Sequence, residues 1–225
     1  MAEPRKASKS KRKSQAVEAK RGLYRQLILE GAQRAFAEKG YDDAKMEDIA
    51  GESGLAMGTV YSVFPGKAKI FAAIGEAAGE ELFRRALGCI EPGMTARAAT
   101  LASITATVRY FLEHPDYLRM ELNEGLAWGS ETEARGRERT RAHGDGLELL
   151  KAAFARCVDD GSFVAGEPEL MARLAIATMQ LHLGHWLRGG MVRPHDDVVA
   201  EVLAQVERSF APDAARAMET RGDAA

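Results

Sequence analysis

The chain has 225 residues, 46% of them hydrophobic and 28% charged, with a formal net charge of −2. This is the balance of a globular protein able to bury a core, not of a disordered or fibrous chain. No run of about 18 apolar residues occurs, so neither a membrane span nor a membrane partner is expected, and the basic N-terminus lacks the apolar stretch of a secretory signal.

The charge is unevenly spread. Residues 1–25 hold five Lys and four Arg against two Glu, a local charge of +7, so the other 200 residues carry −9. A basic end on an acidic body is the asymmetry expected where one end meets phosphate. Cys89 and Cys157 are the two cysteines, far apart and flanked by apolar residues. They are read as buried free thiols in a reducing cytoplasm rather than as a disulfide.

Residues 1–16 are Lys- and Ser-rich and poor in apolar side chains, which predicts a disordered tail. Such a tail either solubilises the chain or tracks phosphates. The first helix is predicted over about Val17–Lys39, with Leu23, Leu27, Ile28, Ala32, Ala35 and Phe36 as its apolar stripe and Gly40 as its stop. Helix two is predicted at Met46–Ser53 and helix three at Met57–Phe64. Ala50 is small enough for two helices to cross, Gly54 can take the positive φ of the turn, and Val60 packs the second helix back on the first. Ile49, Leu55 and Val63 fill the other inward positions. This is the pattern of a helix-turn-helix.

Pro65-Gly66 breaks the chain before a fourth helix, Lys67 to about Leu87, in which Gly75 and Gly79 sit one turn apart. Each costs about 1 kcal/mol relative to Ala, so close packing on a neighbour is expected to compensate. Further helices are predicted at Thr95–Glu113, Asp116–Trp128, Leu147–Asp159, Pro168–Arg188 and Asp196–Phe210. The charged, glycine-rich interval Gly129–Gly146 reads either as an extension of the helix after it or as a surface segment. No alternating β pattern occurs, and the chain is read as all-α.

Phe36-Ala37-Glu38-Lys39-Gly40-Tyr41, Asp48-Ile49-Ala50, and Gly58-Thr59-Val60-Tyr61 with Phe64 and Lys67 together resemble the DNA-binding domain of the TetR family of bacterial transcriptional regulators. The resemblance covers about residues 20–75. It implies about nine helices: three that bind DNA (17–66), a fourth that links, and a ligand-binding and dimerising remainder (67–212), with 213–225 as a disordered tail. One departure stands out. Where the family commonly carries a Thr-Thr or Thr-Ser pair before helix two, this chain has Ala44-Lys45. Ala44 cannot cap the helix, a loss of about 1 kcal/mol unless Asp43 substitutes, whereas Lys45 can reach a phosphate by charge alone.

In a helix-turn-helix the start of the second helix meets the base edges. Here those residues are Ala56, Met57, Gly58 and Thr59, with Ser62 a turn later. No Arg, Lys, Asn or Gln lies between Ala56 and Phe64, so bidentate base contacts are not available from this helix. Specificity is expected to rest on thymine methyls against Ala56 and Met57 and on DNA shape. Thr59, Tyr61 and Lys67 are assigned to phosphates, contacts that set register rather than read sequence; for Tyr61 the alternative is a packed, bracing aromatic.

A single such unit reads few base pairs and is usually doubled by two-fold symmetry. Apolar bands suited to that are Leu170, Leu174, Ala177, Leu181 and Gly184 on one helix and Val199, Val202, Leu203, Val206 and Phe210 on the next. Periodicity alone fits core packing equally well, and the resemblance favours a homodimer. The resemblance also implies a small-molecule effector among the core helices. Met120, Glu124, Trp128, Phe154, Met179, His182 and Trp186 are its candidate lining, with core packing as the alternative. His182 and His185 lack the companions of a metal site, and no cofactor is expected. Phosphate loops, nucleophile elbows and HExxH are absent, which argues against an enzyme. The expected function is a ligand-responsive regulator in the cytoplasm, at the nucleoid, repressing from a palindromic double-stranded operator. The rival is an effector-free DNA-organising protein on the same scaffold.

Overall fold

A computed structural model describes residues 4–123 and 137–212. Nine helices run through the described residues, with no strand among them: α1 (Pro4–Asp43), α2 (Met46–Ser53), α3 (Met57–Val63), α4 (Lys67–Gly88), α5 (Ala96–Glu113), α6 (Pro115–Asn123), α7 (Arg137–Asp159), α8 (Pro168–Arg188) and α9 (His195–Phe210). The chain divides into two compact units, and the division falls inside α4, between Ile74 and Gly75.

In the first unit α1 begins at Pro4 rather than near Val17. Pro is well suited to a first helical position, and the following residues up to Arg21 contain no Gly or Pro to interrupt the run. Gly40 ends the regular run as expected, with φ 76° and ψ 167°. Ile28, Ala32, Ala35 and Phe36 are fully or almost fully buried, as are Ile49, Ala50, Val60 and Ile70, whereas Leu23 is 54% exposed and does not belong to the stripe. Phe36, Tyr41 and Phe71 form an aromatic cluster with centroids 4.9–5.6 Å apart. Two ion pairs, Arg34–Glu52 at 2.9 Å and Lys39–Asp48 at 2.6 Å, tie α1 to α2.

The crossing of α1 on α2 depends on a residue that the sequence reading passes over. A Cβ at Gly31 would lie 2.6 Å from the backbone nitrogen of Ser53 and 2.9 Å from the carbonyl carbon of Glu52. Only a residue without a side chain lets the two backbones meet there. The sole hint in the sequence is a lone glycine inside a helical pattern, which is paid for in propensity.

In the second unit, Phe154, Phe163 and Phe210 make an aromatic centre with centroids 5.1–5.9 Å apart, and Ile104, Val108, Leu112, Leu118, Met120, Leu183 and Val202 are all within 2% of complete burial. Thr95 caps α5 by accepting from the Ala98 N–H at 3.2 Å. Arg97–Glu207 at 2.5 Å and Arg109–Asp196 at 2.6 Å hold α5 to α9. Helix α7 starts at Arg137, so the described part of the Gly129–Gly146 interval is helical. Both cysteines are free: Cys157 is buried beside the Thr100 hydroxyl, and Cys89 is half-buried rather than buried. No helix among the described residues is long and apolar enough to cross a membrane.

Candidate nucleic-acid interface and effector cavity

The turn between α2 and α3 is built as the sequence requires. Gly54 adopts φ 67° and ψ 23°, and its N–H reaches back to the carbonyls of Ala50 and Gly51. Helix α3 then buries Val60 completely and presents its opposite side outward. Ala56, Gly58, Tyr61 and Ser62 are exposed, Tyr61 to 50%, and Met57 and Thr59 are half-buried. All six candidates therefore keep some surface open to solvent. The Ser62 hydroxyl donates to the Thr59 carbonyl at 2.7 Å, which leaves its oxygen free only to accept.

Two of the remaining candidates sit differently from one another. Lys45 is exposed at the N-cap of α2. Its backbone N–H is satisfied by the Asp48 carboxylate at 2.9 Å, so the cap comes from inside the helix and not from Asp43, which lies in α1. The Lys39 ammonium, and then the Lys45 N–H, hold the Asp48 carboxyl below its usual range.

Lys67 departs further from the expected phosphate contact. Its ammonium donates to the carbonyls of Tyr41 and Asp42, each at 2.8 Å, and of Ala44 at 3.0 Å, and lies 4.7 Å from the Tyr41 ring centroid. An ammonium has three N–H donors, and here all three are engaged by the chain end between α1 and α2. Lys67 is a clamp on the helix-turn-helix rather than a free phosphate ligand. A cation that the sequence reading missed is Arg25, exposed on α1, whose guanidinium lies 4.9 Å from the Phe64 ring at the end of α3. Nothing local announces it, because Arg25 and Phe64 are 39 positions apart and meet only in the fold.

The second unit contains a cavity of about 960 Å³ lined from α4, α5, α6, α7 and α8, with Leu82, Phe83, Ile104, Phe111, Leu150 and Met179 among its apolar walls. Of the seven candidate ligand residues, Met179 lines it. Met120 is 1% exposed and lies outside the lining, and Phe154 is spent on the Phe163–Phe210 cluster. His182 faces Glu201 of α9 at 3.4 Å. Trp186 is buried, donating its indole N–H to the Arg193 carbonyl at 3.1 Å and lying edge-on to His195. A four-residue spacing on one helix cannot say whether the shared face turns to a cavity or to a neighbouring helix. Glu124 and Trp128 lie outside the described residues. Gly75 and Gly79 do line the cavity. No atom stands within 4 Å of a Cβ placed on Gly75, so this glycine widens a space rather than admitting a close neighbour.

The two apolar bands also separate. Leu170, Leu174 and Leu181 are 64%, 47% and 67% exposed, and Ala177 between them is exposed. On α9, by contrast, Val199, Val202, Val206 and Phe210 are buried within the chain's own core, and Leu203 is half-buried. Gly184 is also buried. The α9 band therefore packs the protomer itself, and the face left open belongs to α8. No group of three or more His, Cys, Asp or Glu in metal-binding arrangement occurs among the described residues.

A family model described as bacterial regulatory proteins, tetR family, matches residues 28–74. The regulator YuxN of Bacillus subtilis, described as an uncharacterized HTH-type transcriptional regulator, is 32% identical over 99 residues, which is 44% of this chain but 34% of that protein. The chain thus spans about a third of YuxN. The HTH-type transcriptional repressor AcnR of Corynebacterium efficiens is 29% identical over 161 residues, 69% of this chain and 77% of that protein. Among solved structures, the fatty acid degradation regulator FadR of Bacillus halodurans superposes with a TM-score of 0.70 at 15% identity, covering 81% of this chain and 94% of its own. Identity that low speaks for the fold alone. Both curated relatives are HTH-type transcriptional regulators. Residues 28–74 thus match the tetR family of bacterial regulatory proteins, and the described helices share the fold of solved TetR-like regulators.

Proposed function

We propose that the chain is a ligand-responsive transcriptional regulator that binds a palindromic operator as a homodimer, represses from it, and releases it when a small, largely apolar molecule occupies the second unit. The observation that carries the ligand response is the cavity of about 960 Å³. Ligand sites are typically apolar clefts of this size with a few polar groups. The cavity favours this reading over an effector-free organiser of DNA, for which a filled core would serve.

DNA binding is supported by the outward face of α3. With no Arg, Lys, Asn or Gln on it, thymine methyls against Ala56 and Met57 and the shape of the duplex remain as its means of discrimination. Lys45 and Arg25 supply nearby positive charge, and Tyr61 offers a hydroxyl. Dimerisation is supported by the exposed Leu170, Leu174 and Leu181, since apolar side chains repeated along one helix face in this way mark an interaction surface. Helix α4 carries the response, because it starts at the Lys67 clamp and continues as a wall of the cavity.

The testing experiment measures binding of the purified protein to the DNA upstream of its own and neighbouring genes, with hydrophobic compounds then added. Binding to a two-fold symmetric site and its loss with at least one compound are expected. Tight operator binding that no compound disturbs, by a protein that takes up none of them, refutes the ligand response. Leu174→Glu with Leu181→Glu is expected to yield monomers in analytical ultracentrifugation; an unchanged dimer refutes the α8 face.

A further inference from the structure

We propose that the cavity of the second unit selects a hydrophobic cation bearing N–H donors, such as a protonated alkyl or aryl amine. This rests on reading the cavity as the effector site. The argument begins with two hydroxyls on its wall. Ser103 donates its hydrogen to the Ala86 carbonyl at 2.8 Å, and Thr107 donates its own to the Ser103 carbonyl at 2.9 Å. A hydroxyl has one hydrogen and two lone pairs. With both hydrogens turned into helix backbone, these oxygens can only accept from whatever occupies the cavity.

The charges in the lining point the same way. Glu76 and Glu80 lie one turn apart on α4, both exposed, and neither has a hydrogen-bond or ion-pair partner among the described residues. Glu148 on α7 also lines the cavity, with Lys151 at 3.4 Å. Against these three carboxylates the described lining contains one cation, Arg156. Exposed carboxylates at the edge of an apolar wall favour a cationic headgroup over an anionic one, while the wall takes the apolar part of the ligand. Next to Glu76, Gly75 leaves room along the wall that any side chain would fill. The ring of Phe83, 47% exposed and part of the same lining, offers an aromatic face to a cation. A carboxylate ligand would add a fourth negative charge and further acceptors to a site already rich in both, with Arg156 alone to receive it.

The test is isothermal titration calorimetry on the full chain at neutral pH with four probes of equal chain length: octylammonium, octyltrimethylammonium, octanol and octanoate. Octylammonium is expected to bind at least tenfold tighter than octanoate, with octanol between them. Octyltrimethylammonium, which has no N–H, is expected to bind at least threefold weaker than octylammonium. Glu76→Gln with Glu80→Gln, both on the surface of α4, is expected to shrink the amine-to-acid ratio below threefold while leaving octanol unchanged, with circular dichroism confirming the fold. Octanoate binding as tightly as the amine, or a ratio that survives the double substitution, overturns the cation and leaves the effector cavity standing. Failure of all four probes to bind overturns both.

Discussion

Replacing Gly31 and Gly22 separately by Ala makes the same chemical change twice in one helix, in two different surroundings. Ala is favoured over Gly inside a helix by about 1 kcal/mol, and that gain applies at both positions. At Gly22 no atom lies within 4 Å of the added methyl, so the gain stands alone. At Gly31 the methyl would meet Ser53 N at 2.6 Å and Ser53 Cα at 2.9 Å. Both are backbone atoms that cannot rotate aside, so the α1–α2 crossing must open by close to ~1 Å to recover an ordinary contact distance. Adding a methyl to a packed contact costs about 1–3 kcal/mol, and a rigid backbone neighbour places this case toward the upper end. Gly22→Ala should therefore stabilise by about 1 kcal/mol, and Gly31→Ala should destabilise by about 1–2 kcal/mol. Because the chain has two units, the suitable assay is native-state hydrogen exchange at the buried amides of α1 and α2, which reads the local opening free energy. Equal protection in the two variants would refute the close crossing.

Three further outcomes are expected. Lys67→Met removes three charge-assisted hydrogen bonds from the carbonyls of Tyr41, Asp42 and Ala44, and should lower the opening free energy of the first unit by about 1–2 kcal/mol in hydrogen exchange; if Lys67 were instead a surface phosphate ligand, DNA affinity would fall while protection stayed constant. Tyr61→Phe should weaken every operator variant alike, by about 1 kcal/mol per subunit in fluorescence anisotropy, whereas loss confined to particular sequences would make Tyr61 a base reader. The Glu81 carboxyl is held down to about 2 by hydrogen bonds from Arg84 and then Arg85. Because its folded pKa is depressed, its contribution to stability is complete above the unfolded carboxylate range and is lost as pH falls from there toward 2. Carbon-detected NMR titration should find that midpoint, and Glu81→Gln should flatten the corresponding part of the acid stability profile.

Local chemistry along the chain was enough to identify the reading unit. A glycine in the left-handed region after eight helical residues, a proline-glycine break after the next helix, and inward Ile49, Ala50 and Val60 each act within a turn or two of their own position. Near neighbours in sequence therefore define α2, the turn and α3 before any long-range contact forms. The same holds for α8, α9 and most other helix limits, where Pro and Gly mark the ends. The tertiary structure alone decided which side of each later helix is free. An apolar stripe records that a face is buried, not what buries it, and so the α9 stripe turned out to be core and the α8 stripe open. The same limit applies to Met120, Phe154, His182 and Trp186, whose spacing fits a cavity wall and a helix contact equally. Gly31 against Ser53, Arg25 on Phe64 and the Lys67 ammonium among three carbonyls join positions about 22 to 39 residues apart. Contacts between such distant positions exist only once the helices have packed, because no local preference of either partner encodes them.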